Sequence, residues 1–194
     1  MLDWSAIATA SAAVIALVVG VTPLFWAKLQ RARVGRAKAR IAEVDLKIQA
    51  LHVSAGLQLI GQDSTHAHHY RVAIRQFQVL NAESCRELVP YLDSLPSGLE
   101  APLSDVISDI GIGTRLLDDP APVRSSGVIN TAATRDLYSE LLETMNSARL
   151  ALSKAIGNGY TPEPLGDEVD SMVRQLRADA RADLMAEVER NQRM

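Results

Sequence analysis

The sequence is poor in residues that cross-link or stack. Cys85 is the single cysteine among 194 residues, so no disulfide can form within the chain. Aromatic residues make up 4% of the chain, which argues against a core built from β-strands, because strands favour aromatic and β-branched side chains. The interior is therefore expected to consist mainly of alanine and leucine, and no strand is predicted.

The sequence also lacks the motifs of familiar catalytic and cofactor sites. It contains no HExxH, no GxSxG and no zinc-type pair of cysteines. GIGTR, residues 111–115, lacks the further glycine of a dinucleotide loop and the lysine of a phosphate loop. Glu140 and Glu143 lack the histidine partner of a di-iron bundle, and Cys85 lies where a small apolar side chain packs well. We therefore predict a protein that is not an enzyme and that has no catalytic, cofactor or metal residues.

Histidines are concentrated in THAHHY, residues 65–70. On a helix, His66 and His69 lie one turn apart, with His68 pointing elsewhere, and Asp63 could join them, which would form a fragment of a transition-metal site. These ligands are too few to specify a metal without a further helix. We interpret the cluster as an ordinary polar helix start, and a metal site or a pH-sensitive turn are the alternatives.

An uncharged apolar run covers residues 5–27. As a helix, its 23 residues would extend about 34 Å, enough for a hydrocarbon core of about 30 Å. Trp4 and Trp26 bracket the run at positions typical of membrane interfaces. The run predicts a transmembrane helix; a cleaved signal peptide and a buried core helix are the alternatives.

A cationic block follows the apolar run directly. It has no acid among residues 28–40, whereas residues 41–194 contain 14 bases and 22 acids. This asymmetry predicts an N-terminus outside and a cytoplasmic C-terminal bulk, in a bacterial inner membrane, with the block against anionic headgroups. The candidate membrane-interface residues are Trp4, Trp26, Lys28, Arg31, Arg33, Arg36, Lys38 and Arg40.

Two stripes in the first helix predict association with another helix. Small residues recur every four positions from Ala8 to Gly20, and a 3-4-3-4 heptad stripe runs from Val34 to Ala55. We expect the heptad stripe to pack on the rest of its own chain; a parallel coiled coil between copies is the alternative. The candidate association residues are Ala8, Ala12, Ala16, Gly20, Val34, Ile41, Val44, Ile48 and Leu51.

The remaining chain reads as helices separated by glycine, proline and polar loops. Further helices are predicted at residues 64–88, 99–117 and 128–156, and from TPEP at 161–164 to about 191. The predicted class is all-α: a single N-terminal transmembrane helix continuing into a cytoplasmic bundle of about four to five helices.

The predicted organisation assigns a role to each segment. Residues 1–27 form a transmembrane anchor, 28–62 a basic juxtamembrane stalk helix, 63–158 a helical bundle, and 159–194 a loop with a C-terminal amphipathic helix.

These segments predict a membrane-anchored helical scaffold or adaptor. It would self-associate or recruit another protein at the cytoplasmic membrane face, with the bilayer as a further partner. The alternative is a membrane-tethered sensor, or a bundle that binds a small ligand or metal. Nucleic acid is not expected as a partner, because the chain beyond the cationic block is acidic.

Overall fold

The protein is a helical bundle with a small two-stranded sheet. The structure is a computed structural model that describes residues 4–60, 64–117, 128–157 and 165–192. In chain order the elements are α1 (Trp4–Leu59), β1 (Ser64–His66), α2 (Ala67–Phe77), α3 (Glu83–Leu88), a 3₁₀ helix (Val89–Ser94), α4 (Glu100–Leu116), β2 (Val128–Asn130), α5 (Ala132–Ile156) and α6 (Gly166–Gln192). The predicted all-α class and helical bundle are confirmed.

The predicted transmembrane helix at residues 1–27 is contradicted. Among the residues that the structure describes, no helix is both long enough and apolar enough to cross a bilayer. The side chains of residues 4–18 lie outside the described part of the chain.

Helices α1 and α5 form the centre of the bundle and run antiparallel. Near the start of α5, the Arg135 guanidinium donates to the carbonyls of Leu57 and Ile60 at the end of α1, both at 3.3 Å. Further along α5, Arg149 Nε lies 3.7 Å from Oε1 of Glu43, which precedes Leu57 on α1. The Arg135 bonds also satisfy carbonyls that the end of a helix leaves without intrahelical partners.

The core between these helices combines small residues on α1 with larger ones on α5. Because the fully buried alanines on α1 are small, the larger side chains of α5 can approach the α1 backbone closely. The core positions are Ala39, Ala42, Leu46, Ala50 and Val53 on α1, and Tyr138, Leu141, Met145, Ala148 and Leu152 on α5. The second half of α1 therefore shares one core with the helices that follow it.

An aromatic stack joins α2 to α1 and α5. The rings of Phe77 and Tyr138 lie 3.8 Å apart with an interplanar angle of 12°. A Cβ on Gly56 would lie 2.4 Å from the Phe77 ring, so this α1 position has room only for glycine. The Tyr138 hydroxyl donates to the carbonyl of Gly113 at 3.0 Å, which extends the connection to α4.

Two predicted helices begin with strands instead. Residues 64–66 pair antiparallel with residues 128–130, with Thr65 opposite Ile129. The helix predicted over 64–88 is also interrupted after Phe77, where Asn81 Oδ1 accepts from the Glu83 N–H and the Asn81 N–H donates to Gln49. The bond from Asn81 to Gln49 is a tertiary contact and the bond from Glu83 to Asn81 is local, and both use backbone N–H groups that a continuous helix would bond along its own axis.

Other predicted boundaries are close to the observed ones. Helix α4 continues past Gly111 and Gly113 to Leu116, as predicted, and α5 ends at Ile156. Gly157 follows α5 with φ of 81°, a left-handed conformation that glycine adopts without a Cβ penalty. Residues 118–127 and 158–164, predicted as loops and a helix start, lie outside the described residues.

Candidate interaction surface

Helix α1 presents apolar side chains on two opposite faces. The inner face packs in the core, as described above. The other face, which we call the outer stripe, consists of Val34, Ala37, Ile41, Val44 and Ile48, all exposed. Ile41 is 63% exposed, Val44 54% and Ile48 51%, whereas Leu46 between them is 0% exposed. At about 100° per residue, Val44 and Ile48 each point about 160° away from Leu46.

The expectation that the heptad stripe packs within its own chain is wrong for most of its length. Leu51 is half-buried and Ala55 is buried, but the positions from Val34 to Ile48 face away from the bundle. Large aliphatic side chains exposed at heptad spacing are typical of a helix that has another helix as its neighbour.

The exposed apolar surface continues towards the N-terminus. Residues 19–30 are all exposed, and we call residues 19–29, which are apolar except for Thr22 and Lys28, the apolar segment. Its large exposed side chains are Val19, Val21, Leu24, Phe25, Trp26 and Leu29. Unlike the outer stripe, these side chains are distributed around the helix, which is typical of a helix covered on several sides. Gly20 is open as well, since a Cβ there would meet nothing within 4 Å.

One edge of the outer stripe is bordered by α3 and the 3₁₀ helix. Lys38 Nζ lies 2.7 Å from Glu87 Oε2, and this hydrogen bond raises the pKa of Lys38. Asp45 accepts from Ser84 Oγ at 2.6 Å and from Gln49 Nε2 at 2.9 Å. These polar groups make a hydrophilic border without covering the stripe.

The other edge is bordered by α6. Lys47 Nζ lies 3.1 Å from Glu168 Oε1 near the start of that helix. Arg33 and Arg40 lie along the same edge and are exposed. The outer stripe is thus an apolar strip between two charged rows, an arrangement typical of coiled-coil surfaces.

The predicted membrane-interface residues are distributed over different environments. Arg31 bonds to Asp93 at 3.3 Å and to the Pro90 carbonyl at 2.7 Å, so it is bound by its own chain, as Lys38 is by Glu87. Arg31 is nevertheless exposed, and so are the other described members: Trp26, Lys28, Arg33, Arg36 and Arg40. Contact with anionic headgroups stays a prediction. The side chains of Trp4, Ala8, Ala12 and Ala16 lie outside the described residues.

The histidine cluster lies where α2 meets α6. His68 Nε2 is hydrogen-bonded to the Ala180 carbonyl of α6, and the His66 and His69 rings lie 6.5 Å apart. Burial lowers the pKa of His69, and the nearby His68, His66, Arg177 and Arg181 lower it further. In the described part of the chain, no group of three histidine, cysteine or acidic side chains is placed to hold a metal, and Asp63 lies outside it.

The single cysteine is packed in the interior. Cys85 is 0% exposed, and its burial raises the thiol pKa to about 11. A thiol with a raised pKa is a poor nucleophile at neutral pH, because the thiolate is the reactive form. Cys85 therefore has the environment of a small core residue, as expected from its position among helical residues.

The sequence interpretation missed the largest fully buried side chain, Arg149. Its Nη1 donates to Asn146 Oδ1 at 3.3 Å, while its Nε and Nη2 have no hydrogen-bond partner. Glu43 provides the opposite charge from α1. One signal was present in the sequence: Arg149 follows Met145 by four positions and precedes Leu152 by three, so it falls on the apolar face of α5.

A crevice between α2, α4 and α5 bears on the small-ligand alternative. Its volume is about 160 Å³, and its lining includes Tyr70, Ile74, Leu117 and Leu137. Pockets for small organic ligands are usually about 300–1,000 Å³. The crevice is below this range. An open groove between α1 and α6 is larger, about 370 Å³, but its lining is mainly polar and charged, unlike the mostly apolar lining of such pockets.

Comparisons with protein-family models, with curated proteins and with solved structures found no match for this chain.

Proposed function

We propose that this chain is a helical scaffold that associates with further copies of itself through the outer stripe of α1. The observation that carries the proposal is the exposure of Ile41, Val44 and Ile48 at heptad spacing, on the face opposite to the core. Burying a valine or isoleucine side chain contributes about 1.5–3 kcal/mol, so water is an unfavourable neighbour for this face.

The flanking contacts support the same proposal. Lys38 and Lys47 bond to acids of their own chain on either side of the stripe, at 2.7 and 3.1 Å. These bonds hold long side chains at the borders and reduce the net charge that a second helix would meet. In this proposal the bundle is the body of the scaffold, and α1 belongs both to the body and to the contact between copies.

Sedimentation velocity of the purified full chain tests the proposal. We expect wild-type protein to form a defined oligomer as its concentration rises. Ile41→Asp and Ile48→Asp should shift the protein towards monomer, because association would bury a carboxylate in an apolar seam. Both positions face away from the core, so circular dichroism and thermal unfolding of these variants should remain close to wild type.

Ile112→Asp is the matched control. Ile112 is 45% exposed on α4, so the same chemical change is made on an exposed isoleucine outside the outer stripe. It should leave the oligomer unchanged. A wild type that stays monomeric at every concentration contradicts the proposal, and so does an oligomer that Ile41→Asp and Ile48→Asp do not weaken.

A further inference from the structure

We infer that the two helices at this contact lie parallel and in register, so that the apolar segment of one copy meets the apolar segment of the other. The inference rests on the proposed self-association and adds the identity of the surface that covers one side of residues 19–29, the side that continues the outer stripe. It makes the contact a continuous seam of about 44 Å from Val19 to Ile48, at 1.5 Å per residue.

A row of residues spaced by seven runs the length of this seam. Its members are Gly20, Ala27, Val34, Ile41 and Ile48, and each is exposed. Such a row stays on one side of a helix with a drift of about 20° per heptad, which a left-handed supercoil absorbs. The row continues the outer stripe into the apolar segment, and Gly20 lets a second backbone approach closely at its N-terminal end.

The side chains at the heptad core positions are compatible with the parallel arrangement. Val34, Ile41 and Ile48 occupy one set of core positions of the heptad, and all three are β-branched. Within parallel coiled coils, β-branched residues at one set of core positions favour two strands when leucine fills the other set. Ala37 and Val44 occupy that other set here, so these side chains fit a parallel pair but do not select the orientation. Parallel packing also brings Arg40 near Asp45 of the second copy, although antiparallel packing would bring Lys38 near the same acid, so charge alone separates the two orientations weakly.

The apolar segment distinguishes more strongly between the parallel and the antiparallel orientation. If the helices were antiparallel, with Ile48 packed against Ala37 of the second copy, the apolar segment would lie beyond the outer stripe of that copy, at the C-terminal end of its α1. The surface there is a groove between α1 and α6 lined by Gln58, Asp167, Asp170 and Arg174, among others. Apolar side chains against this groove would desolvate charged groups, whereas parallel packing places the apolar side chains on the seam side against identical apolar side chains.

Disulfide cross-linking of single-cysteine variants tests the orientation. Helix axes about 8–10 Å apart, with Cα atoms on cylinders of about 2.3 Å radius, leave facing Cα atoms close to the range of about 4.4–6.8 Å that a disulfide spans. Ala37→Cys and Ile48→Cys each place a thiol on the outer stripe. The native Cys85 can remain, because it is fully buried.

Under mild oxidation we expect Ala37→Cys alone and Ile48→Cys alone to form covalent dimers on non-reducing gels. Ile112→Cys, exposed on α4, should not form them. If only a mixture of differently tagged Ala37→Cys and Ile48→Cys chains cross-links, the helices are antiparallel, which overturns the inference and leaves the self-association intact.

Two remaining outcomes also decide the matter. A chain that sediments as an oligomer but forms no disulfide in any combination overturns the inference, because the stripes are then not facing each other. A chain that is monomeric in sedimentation overturns the proposed function itself, and the orientation falls with it.

Discussion

Nε of Arg149 lies 3.7 Å from Oε1 of Glu43, an ion pair between α5 and α1 in which the arginine side chain is 1% exposed. Two of the arginine nitrogens and this carboxylate oxygen have no hydrogen-bond partner. A buried pair with incomplete hydrogen bonding contributes little net stability, but removing one member leaves the other charge uncompensated.

Glu43→Ala should therefore lower the free energy of unfolding by about 3–5 kcal/mol. Replacing both members, with Glu43→Leu and Arg149→Met, should cost much less than Glu43→Ala alone, because no buried charge remains. Urea unfolding of the two variants and wild type measures the difference. An equal loss of unfolding free energy in both variants would show that the charge of Arg149 is not buried.

Gly56→Ala should destabilise the bundle by about 1–3 kcal/mol, the usual cost of overpacking a core. The new methyl group would lie 2.4 Å from the Phe77 ring, which cannot retreat because it stacks on Tyr138. Gly111→Ala is the matched control in α4: its Cβ would meet nothing within 4 Å, so it should stabilise by up to about 1 kcal/mol. Thermal unfolding measures the midpoint temperature of each variant. An equal fall in this temperature for both variants would refute the close contact between Gly56 and the Phe77 ring.

Acidification should loosen the junction of α2 and α6. The folded chain holds the pKa of His69 below its ordinary value of about 6.5, so the unfolded chain binds a proton there more readily. Above the unfolded-state pKa, His69 is neutral in both states and does not lower the free energy of unfolding. As the pH falls from the unfolded-state pKa towards the lower folded-state pKa, protonation of the unfolded chain reduces the free energy of unfolding.

His69→Gln should reduce this loss. The measurement is urea unfolding of both proteins near neutral pH and about one unit below the ordinary histidine pKa. The difference between the two proteins isolates His69 from the carboxylates that titrate in both. An identical fall in the two proteins would contradict the role assigned to this imidazole.

Cys85 should react with thiol reagents only when the chain unfolds. Its burial and its pKa of about 11 leave very little thiolate near neutral pH. An exposed thiol introduced by Ile112→Cys should react much faster in the same protein, which provides the internal reference. Labelling followed by mass spectrometry distinguishes the two sites, and comparable rates at both would show that Cys85 is accessible in the folded state.

Several elements were predictable because their signals are local. The apolar period of α4, the stop of α5 before Gly157 and the long helix through residues 28–51 follow from spacing, glycine and the absence of helix breakers. The pairing of Thr65 with Ile129 was not predictable, because it joins residues far apart in the chain. The break after Phe77 depends on Asn81 meeting Gln49 of α1, which is also a tertiary contact.

The sequence predicted which residues form the candidate surface, but not what that surface contacts. Heptad spacing correctly placed Ile41, Val44 and Ile48 on one face of a helix, yet we expected that face to enter the core of the same chain. The core uses the opposite face, where the small side chains of Ala39 and Ala42 give a weak apolar signal but allow close packing. The transmembrane prediction is contradicted, as reported for α1 above.

The sequence by itself determined the helical class, the absence of an internal disulfide and the residues that share each helix face, because these follow from composition and from the 3.6-residue turn. Only the tertiary structure decided which of the two apolar faces of α1 is buried, and that Arg149 lies inside the bundle opposite Glu43. Spacing along a helix records which side chains point the same way, whereas burial depends on which other helices can approach that side closely enough to exclude water.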